Sequence, residues 1–387
     1  MSADKKRICI LVFANIAFDI RVQRQIEAAR KHYQVDVIAH GEWKPPEGAH
    51  YIPLPKTILK PSLTSLAMLL FGNMYHPLWE KRYWRQKEYR QAVEIIQKTP
   101  YDLIHANDLN ALPVAVKAAA SNNARVLFDA HEFYLAQGVT KWAVESRRPF
   151  RKYLFNTYGV GISRMITVSA GIANLYFSEF GWKSDIVLNA PHYIEHEFHP
   201  VDPSHINIVN QGSAIRGRRI EDLIMMMKMV DPRYHLFLLL KPSQKDYYEE
   251  LKLKASQIAP DRVTLLDTVP PQNITHEINK FDIGIHILDA NNLNHFYALP
   301  KKIFEYVMAG LGIVVTPLEE MKKLVQDTQI GTVAEDHSWA AMAKALNALT
   351  PEQINIHKKN SLHLAKTLNA DHEMGKLMEI YAVMLAG

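Results

Sequence analysis

Two tandem, doubly wound parallel α/β domains of Rossmann-like type are predicted by three features of this 387-residue sequence. Apolar, β-rich runs alternate with helical patterns along the whole chain. The runs are continuous rather than alternating, as strands covered on both faces require. The series then restarts behind an aperiodic, Pro- and His-rich stretch, "APHYIEHEFHPVDPSH". A chain of this length can bury two separate cores.

Taken in order, "RICILVFA" is the first strand, and Val22, Ile26 and Ala29 mark one face of the helix after it. "VDVIAH", "DLIHAND", "RVLFDAHE", "RMITVS" and "DIVLNAP" follow as strands, with a helix beginning near Leu112 and a basic helical region before "RMITVS". The second series has strands at "INIVNQG", "HLFLLL", "VTLLDTV", "FDIGIHIL" and "GIVVTP". Its helices are expected from about Ile220, around 245–257, near 272–280, and from Pro300. The domains are placed at 1–198 and 199–370, with a helix at 371–387 that can cross back to the first. Tandem domains of this kind leave a cleft at the carboxyl ends of both sheets, where their ligands bind.

Composition narrows the class. With 48% hydrophobic and 22% charged residues the chain reads as a globular enzyme, not a disordered segment. A net charge of +5 is too small for a nucleic-acid polycation, so no nucleic-acid partner is expected. The single Cys9 cannot form an internal disulfide and points to a reducing, cytoplasmic compartment. Lys5, Lys6 and Arg7 before an apolar run imitate a secretory signal, but the run is short and Asp19 and Arg21 lead into helical periodicity. No run reaches the roughly 18 apolar residues that span a bilayer.

The stretch "YALPKKIFEYVMAGLGIVVTP", residues 297–317, carries the most chemistry. Pro300 suits a first helical turn and Gly310 a helix stop. The free N–H groups at that helix start form an anion site, reinforced by Lys302. Glu305, one turn on, suits a sugar diol rather than a phosphate. Together they describe a nucleotide diphosphate; the same spacing also fits an ordinary surface Lys–Glu pair. In "INIVNQGSAIRGRRIEDL", Gly212 and Gly217 have P-loop spacing, but Arg218 and Arg219 replace the Lys and Ser/Thr. A metal-dependent NTPase is therefore not expected. Arg216, Arg218 and Arg219 around such a loop can cradle a diphosphate without metal, or be solvated arginines on a tight turn.

The 297–317 block resembles a signature of the GT-B glycosyltransferases related to family 4. The blocks "FDIRVQRQIEAA", "HAND", "VLFDAHEFY", "ITVSAGIANLY", "VLNAPHY", "QGSAIRGRRIEDLI" and "FDIGIHIL" agree in order and spacing, so the resemblance covers nearly the whole chain. It implies that Glu305 holds the donor ribose, that Arg218 stands in for a diphosphate-binding lysine, and that backbone after Pro300 caps the phosphates. It also implies that His131 faces the reacting sugar, with Glu132 as its neighbour. Three positions depart from the pattern. Tyr297 replaces the first glutamate of an E-x7-E pair, Ser213 replaces an arginine after Gly212, and Lys301 replaces an asparagine.

The activity so implied is transfer of a hexosyl group, with retention, from a nucleotide diphosphate-sugar. Arg218, Lys302 and helix N–H groups would stabilise the leaving diphosphate. No D-x-D pair occurs, so neither a bridging metal nor another cofactor is indicated. The acceptor is expected to be a glycan or lipid-linked, in cell-surface polysaccharide synthesis. Two alternatives stay open: a sugar-nucleotide epimerase, and a non-catalytic partner subunit of the same fold.

Other polar groups are weighed against plainer roles. His192, His196 and His199 in "HYIEHEFH" miss the metalloprotease spacing and sit in the expected hinge. Asp19 and Arg21 can shape an acceptor pocket, or cap a helix and pair locally. His105 and Asn107 end a strand with the same two readings. His286 is expected to be a satisfied core histidine.

Residues 58–98 do not fit a simple α/β unit. "SLTSLAMLLFGNMYHPLW" is apolar and aromatic, and Lys81, Arg82, Arg85, Lys87, Arg90 and Lys98 then stand against only Glu88 and Glu94. "ESRRPFRKY" adds a second basic cluster. This composition suits an anchor on an anionic membrane surface, and equally a helical hairpin with a solvated basic face.

Overall fold

A computed structural model describes residues 5–56, 63–138 and 140–386. Residues 58–62 of the apolar segment, and the first four residues of the signal-like start, lie outside them. The chain divides into two compact units, one of Met1–Leu188 with Met374–Gly387, the other of Asn189–Glu373. The last helix, Ala370–Ala386, begins in the second unit and ends in the first.

The first unit is built on strands β1 (Arg7–Asn15), β2 (Gln34–His40), β3 (Ala49–Leu54), β4 (Leu103–Asn107), β5 (Arg125–Ala130), β6 (Arg164–Thr167) and β7 (Asp185–Ile186). They form one parallel sheet in the order β3-β2-β1-β4-β5-β6-β7. The second unit contains β8 (Ile206–Ser213), β9 (Tyr234–Lys241), β10 (Val263–Leu266), β11 (Ile283–His286), β12 (Gly312–Val315) and β13 (Gly331–Val333). These are also parallel, in the order β10-β9-β8-β11-β12-β13. Both sheets are doubly wound, as predicted. The order reverses between β1 and β4 and between β8 and β11, and ligands bind beyond the strand ends at such points.

The continuous apolar runs are explained by burial on both faces. In the second unit, Ile206, Ile208 and Leu236 face one helical layer containing Leu223 and Met226, while Val209, Leu239 and Ile313 face another containing Ile303, Tyr306 and Val307. In the first, Ile8, Ile10 and Val12 pack on Val22 and Ile26 and on Leu377 and Tyr381 of the last helix. One buried ion pair ties helix to sheet: Lys358 Nζ lies 2.8 Å from Asp282 Oδ1, and Asp282 Oδ2 accepts from the Asn207 N–H.

Some elements differ from expectation. β3 carries an edge-strand pattern, half exposed and with Pro53, which gives no continuous apolar run. β13 is only three residues long. The helix expected near 272–280 is a 3-10 turn, Pro271–Asn273, running into the short helix Ile274–Ile278.

The apolar–basic segment folds as helices Leu63–Phe71, Pro77–Tyr83 and Lys87–Gln97. The middle one is clamped to the helix Lys141–Tyr158: Glu80 accepts from the Trp84 indole at 2.8 Å and from the Tyr153 and Tyr158 hydroxyls, each at 2.9 Å. Trp79 is buried beside them, and a Cβ on Gly72 would run into its indole. Gly72→Ala is expected to cost about 1–3 kcal/mol by overpacking, read as a lower urea midpoint. Among the described residues no helix is long and apolar enough to cross a membrane.

Candidate functional site

In the second unit, β8 ends at Gly212 and Ser213, and the following turn leads to the helix Ile220–Met226. Gly212 has φ +145°, a conformation glycine alone adopts readily. A Cβ there would lie 3.6 Å from Arg218 Nη1 and 3.8 Å from Lys302 Nζ. Two cations therefore stand over one bare turn of backbone, at the switch point of the sheet. Among the described residues neither is in an ion pair. Burial, reinforced by the Arg218 charge and opposed by Glu305, pushes the Lys302 ammonium down to about 8.

Pro300 is the N-cap of the helix Lys301–Met308 and offers no side-chain cap, so the first N–H groups have no partner from that source. Gly310, at φ +69°, ends it as expected. Glu305 is only 6% exposed. Its Oε2 accepts from Gln211 Nε2 at 2.6 Å, and its Oε1 lies 2.8 Å from Lys301 Nζ. The lysine bound to Glu305 is thus Lys301, at i,i+4, not Lys302. Two acceptor directions of the fixed carboxylate remain for a diol.

His286, at the end of β11, is buried, yet its Nε2 has no hydrogen-bond partner among the described residues, and the same holds for His295 Nδ1. The expectation of a satisfied core histidine is therefore corrected. Burial, then the charges of Lys302, Arg218 and His295, push the His286 imidazole well below its usual range, leaving it neutral.

The remaining predicted donor residues fall elsewhere. Arg216 is exposed, 3.4 Å from Asp246 and paired with Glu250. Arg219 is bound to Asp222, Asp289 and the His337 carbonyl. Tyr297 follows the short helix Leu293–Phe296 and packs edge-on against Phe296, with centroids 4.8 Å apart. In the stretch expected as a hinge, which lies within the second unit, His192 is 3.3 Å from Asp371 and His199 bonds Asn279, so these two histidines have separate partners.

In the first unit, Asp19 caps the helix Ile20–Ala29 by accepting from the Val22 N–H at 3.2 Å. This sets Arg21 toward β5, where Asp129 is 3% exposed. Asp129 accepts from Arg21 at 3.3 Å and from Gln25 at 2.7 Å, with His105 Nε2 at 3.6 Å and His131 Nε2 at 3.4 Å. Arg21 also meets His131 Nδ1. Burial opposes ionisation of Asp129, but Arg21 and His105 outweigh it and hold the carboxyl below its usual range. His105 Nδ1 bonds the Tyr381 hydroxyl at 2.6 Å. Asn107 is fully buried, and among the described residues neither its side-chain oxygen nor its nitrogen has a hydrogen-bond partner.

His131 and Glu132 line a cavity of about 400 Å³ together with Asp108, Tyr134, Gln137 and Arg151. Burial and the Asp108 charge push the Glu132 carboxyl up. Asp108, at φ +70°, accepts from the Tyr134 hydroxyl at 2.6 Å, and burial raises its carboxyl too.

Asp129, Gln25, Asp108 and Gln211 were not singled out from the sequence, and Lys301 was noted only as a departure from the family pattern, not as the partner of Glu305. Asp129 had a signal, a lone carboxylate near the end of a buried strand in "VLFDAH". Gln25 had none, since nothing along the chain indicates what its amide meets.

Residues 19–190 match the model of Glycosyltransferase Family 4. No curated protein matches the chain. Among solved structures, the chain is similar to sucrose-phosphate synthase from Thermosynechococcus elongatus, at 14% identity and TM-score 0.74, covering 99% of this chain and 100% of that one. A glycosyltransferase from Rickettsia africae gives 13% and 0.71, covering 99% of each. Anabaena HepE in complex with UDP and glucose gives 14% and 0.70, covering 97% and 99%. At such identities the likeness establishes the fold.

Proposed function

We propose, for a GT-B-fold chain related to Glycosyltransferase Family 4 through residues 19–190, that the protein is a glycosyltransferase moving a sugar from a UDP-sugar to a glycan or lipid-linked acceptor. The observation that carries this is the convergence of Arg218 and Lys302 over Gly212, beside the buried carboxylate of Glu305. Unpaired cations over bare backbone fit a diphosphate, and a held carboxylate fits a ribose diol. HepE is known in complex with UDP and glucose, which supports uridine as the base.

In the proposed reaction the bond from the anomeric carbon to the diphosphate breaks, and a bond to an acceptor hydroxyl oxygen forms. The departing negative charge is met by Arg218 and Lys302. These two cations supply the charge a bridging metal would otherwise bring, so the reading needs no metal or other cofactor. Glu132, whose raised pKa makes it a better base, takes the hydroxyl proton. Transfer with retention follows from the family resemblance. The proposal extends to a role in cell-surface polysaccharide synthesis at the cytoplasmic face of a membrane; the exposed apolar residues Leu63, Leu70 and Met74 beside the basic helices support the membrane surface alone.

Thermal stabilisation by UDP, GDP, ADP and CMP tests the reading, with Glu305→Ala alongside. UDP at about 100 times its Kd should stabilise by roughly 2.7 kcal/mol, and the variant should lose most of that shift. No shift with any nucleotide would leave a non-catalytic subunit as the better reading.

A further inference from the structure

We propose, resting on the glycosyltransferase reading, that an arginine-lined cavity beside His131 and Glu132 seats the phosphate of a lipid-linked acceptor. This cavity, of about 500 Å³, is lined by Arg82, Arg85, Arg147, Ser146, Trp142 and Phe150, with other residues but no carboxylate among them. It shares Leu69, Arg82, Asn110, Arg147 and Phe150 with the His131–Glu132 cavity, so the two form one groove within the first unit.

Three arginines without a carboxylate among them repel one another unless an anion joins them. Arg82 is held in place, donating to the Ser65 carbonyl at 2.7 Å and lying 5.6 Å from the centroid of the Phe150 ring. Burial, then Arg147 and Arg85, lower its pKa, which marks the mutual repulsion. Among the described residues Arg85 reaches only the Thr64 hydroxyl, at 3.5 Å, and Arg147 is in no ion pair. The Ser146 hydroxyl is buried without a partner among the described residues and can donate to a phosphate oxygen.

The rim favours a lipid over a free sugar phosphate. Leu66 and Trp142 of the lining are 40% and 67% exposed, and the helix Leu63–Phe71 that carries Leu66 also exposes Leu63, Leu70 and Phe71, with Met74 just beyond it. A hydrocarbon chain leaving the arginines would cover this surface. With the sugar against His131 and Glu132 and its phosphate in the next cavity, the acceptor sugar is the one attached directly to phosphate. A reaction that joins a sugar to a lipid carrier through phosphate must then supply this substrate.

Calorimetric titration with decyl phosphate below its micelle concentration, inorganic phosphate and decanol tests the assignment. Decyl phosphate should bind best. Arg147→Gln and Arg85→Gln should each weaken it about tenfold while keeping the UDP melting shift. Trp142→Ala should weaken decyl phosphate and leave inorganic phosphate unchanged. Decyl phosphate binding no better than decanol, or equally well to both arginine variants, overturns the seat. Inorganic phosphate binding as tightly as decyl phosphate overturns the lipid and leaves a free sugar phosphate. Arginine-dependent binding of decyl phosphate by a protein with no UDP shift overturns the donor reading and leaves the seat standing.

Discussion

Lys302→Met is expected to make the free protein more stable and its nucleotide binding weaker at the same time. In the free protein the ammonium sits beside Arg218, buried enough that its pKa falls to about 8 from an ordinary value of 10.5. A cation with a lowered folded-state pKa destabilises the fold below that pKa. The unfolded chain stays protonated up to about 10.4, so between the two values it binds the extra proton and stability rises with pH. Removing the charge should therefore raise stability at pH 7 by on the order of 2 kcal/mol. A diphosphate reverses the balance, because it gives both cations a partner. Loss of one charge-assisted hydrogen bond of about 1.5–3 kcal/mol should weaken UDP roughly 10- to 100-fold. The wild-type affinity should also fall as pH rises past about 8, whereas the variant's should not follow that slope. Melting curves with and without UDP between pH 7 and 9 measure both effects. A variant less stable than wild type with unchanged UDP affinity would mean that Lys302 serves the fold and not the ligand.

Asp129→Ala should be among the most destabilising single changes in the first unit, at about 3–5 kcal/mol. It strips the shared acceptor from Arg21 and Gln25 and removes the carboxylate beside His105 and His131. The guanidinium is then left in a largely buried place, its remaining ion pair among the described residues being the more distant one with the Asp19 carboxylate, at 3.9 Å. Because the folded pKa of Asp129 lies below the usual value of 3.8, its ionised form contributes stability above that value. The contribution is lost as pH falls through the folded pKa. Wild type should thus show a steep loss of urea midpoint below about pH 4, and the variant a shallower one. A midpoint unchanged at neutral pH would show that the network is not what fixes Arg21 and His131.

The local patterns carried far. Apolar runs of strand length specified which segments are buried on both faces, and Pro300 and Gly310 bounded the helix that bears Glu305. Asp19 was legible as a cap because its partner, the Val22 N–H, lies three residues away. β3 was not legible, since an edge strand buries one side and shows no continuous run.

What the sequence by itself determined about this protein is therefore its sequence of strands and helices, the doubly wound class, and the presence of cations and a carboxylate around two loops. Which of those groups meet was decided by the tertiary structure alone. Strand order brings the helix after Pro300 beside the turn at Gly212, so Lys302 joins Arg218 while Arg216, two residues away, faces Asp246 and Glu250. It likewise sets Gln25 and Arg21 against Asp129, and Arg147 against Arg82. Backbone hydrogen bonding and burial periodicity are properties of a few neighbouring residues and can be read along the chain. A meeting of side chains depends on the crossover connections and the register of the sheet, which place residues distant in sequence at one strand end.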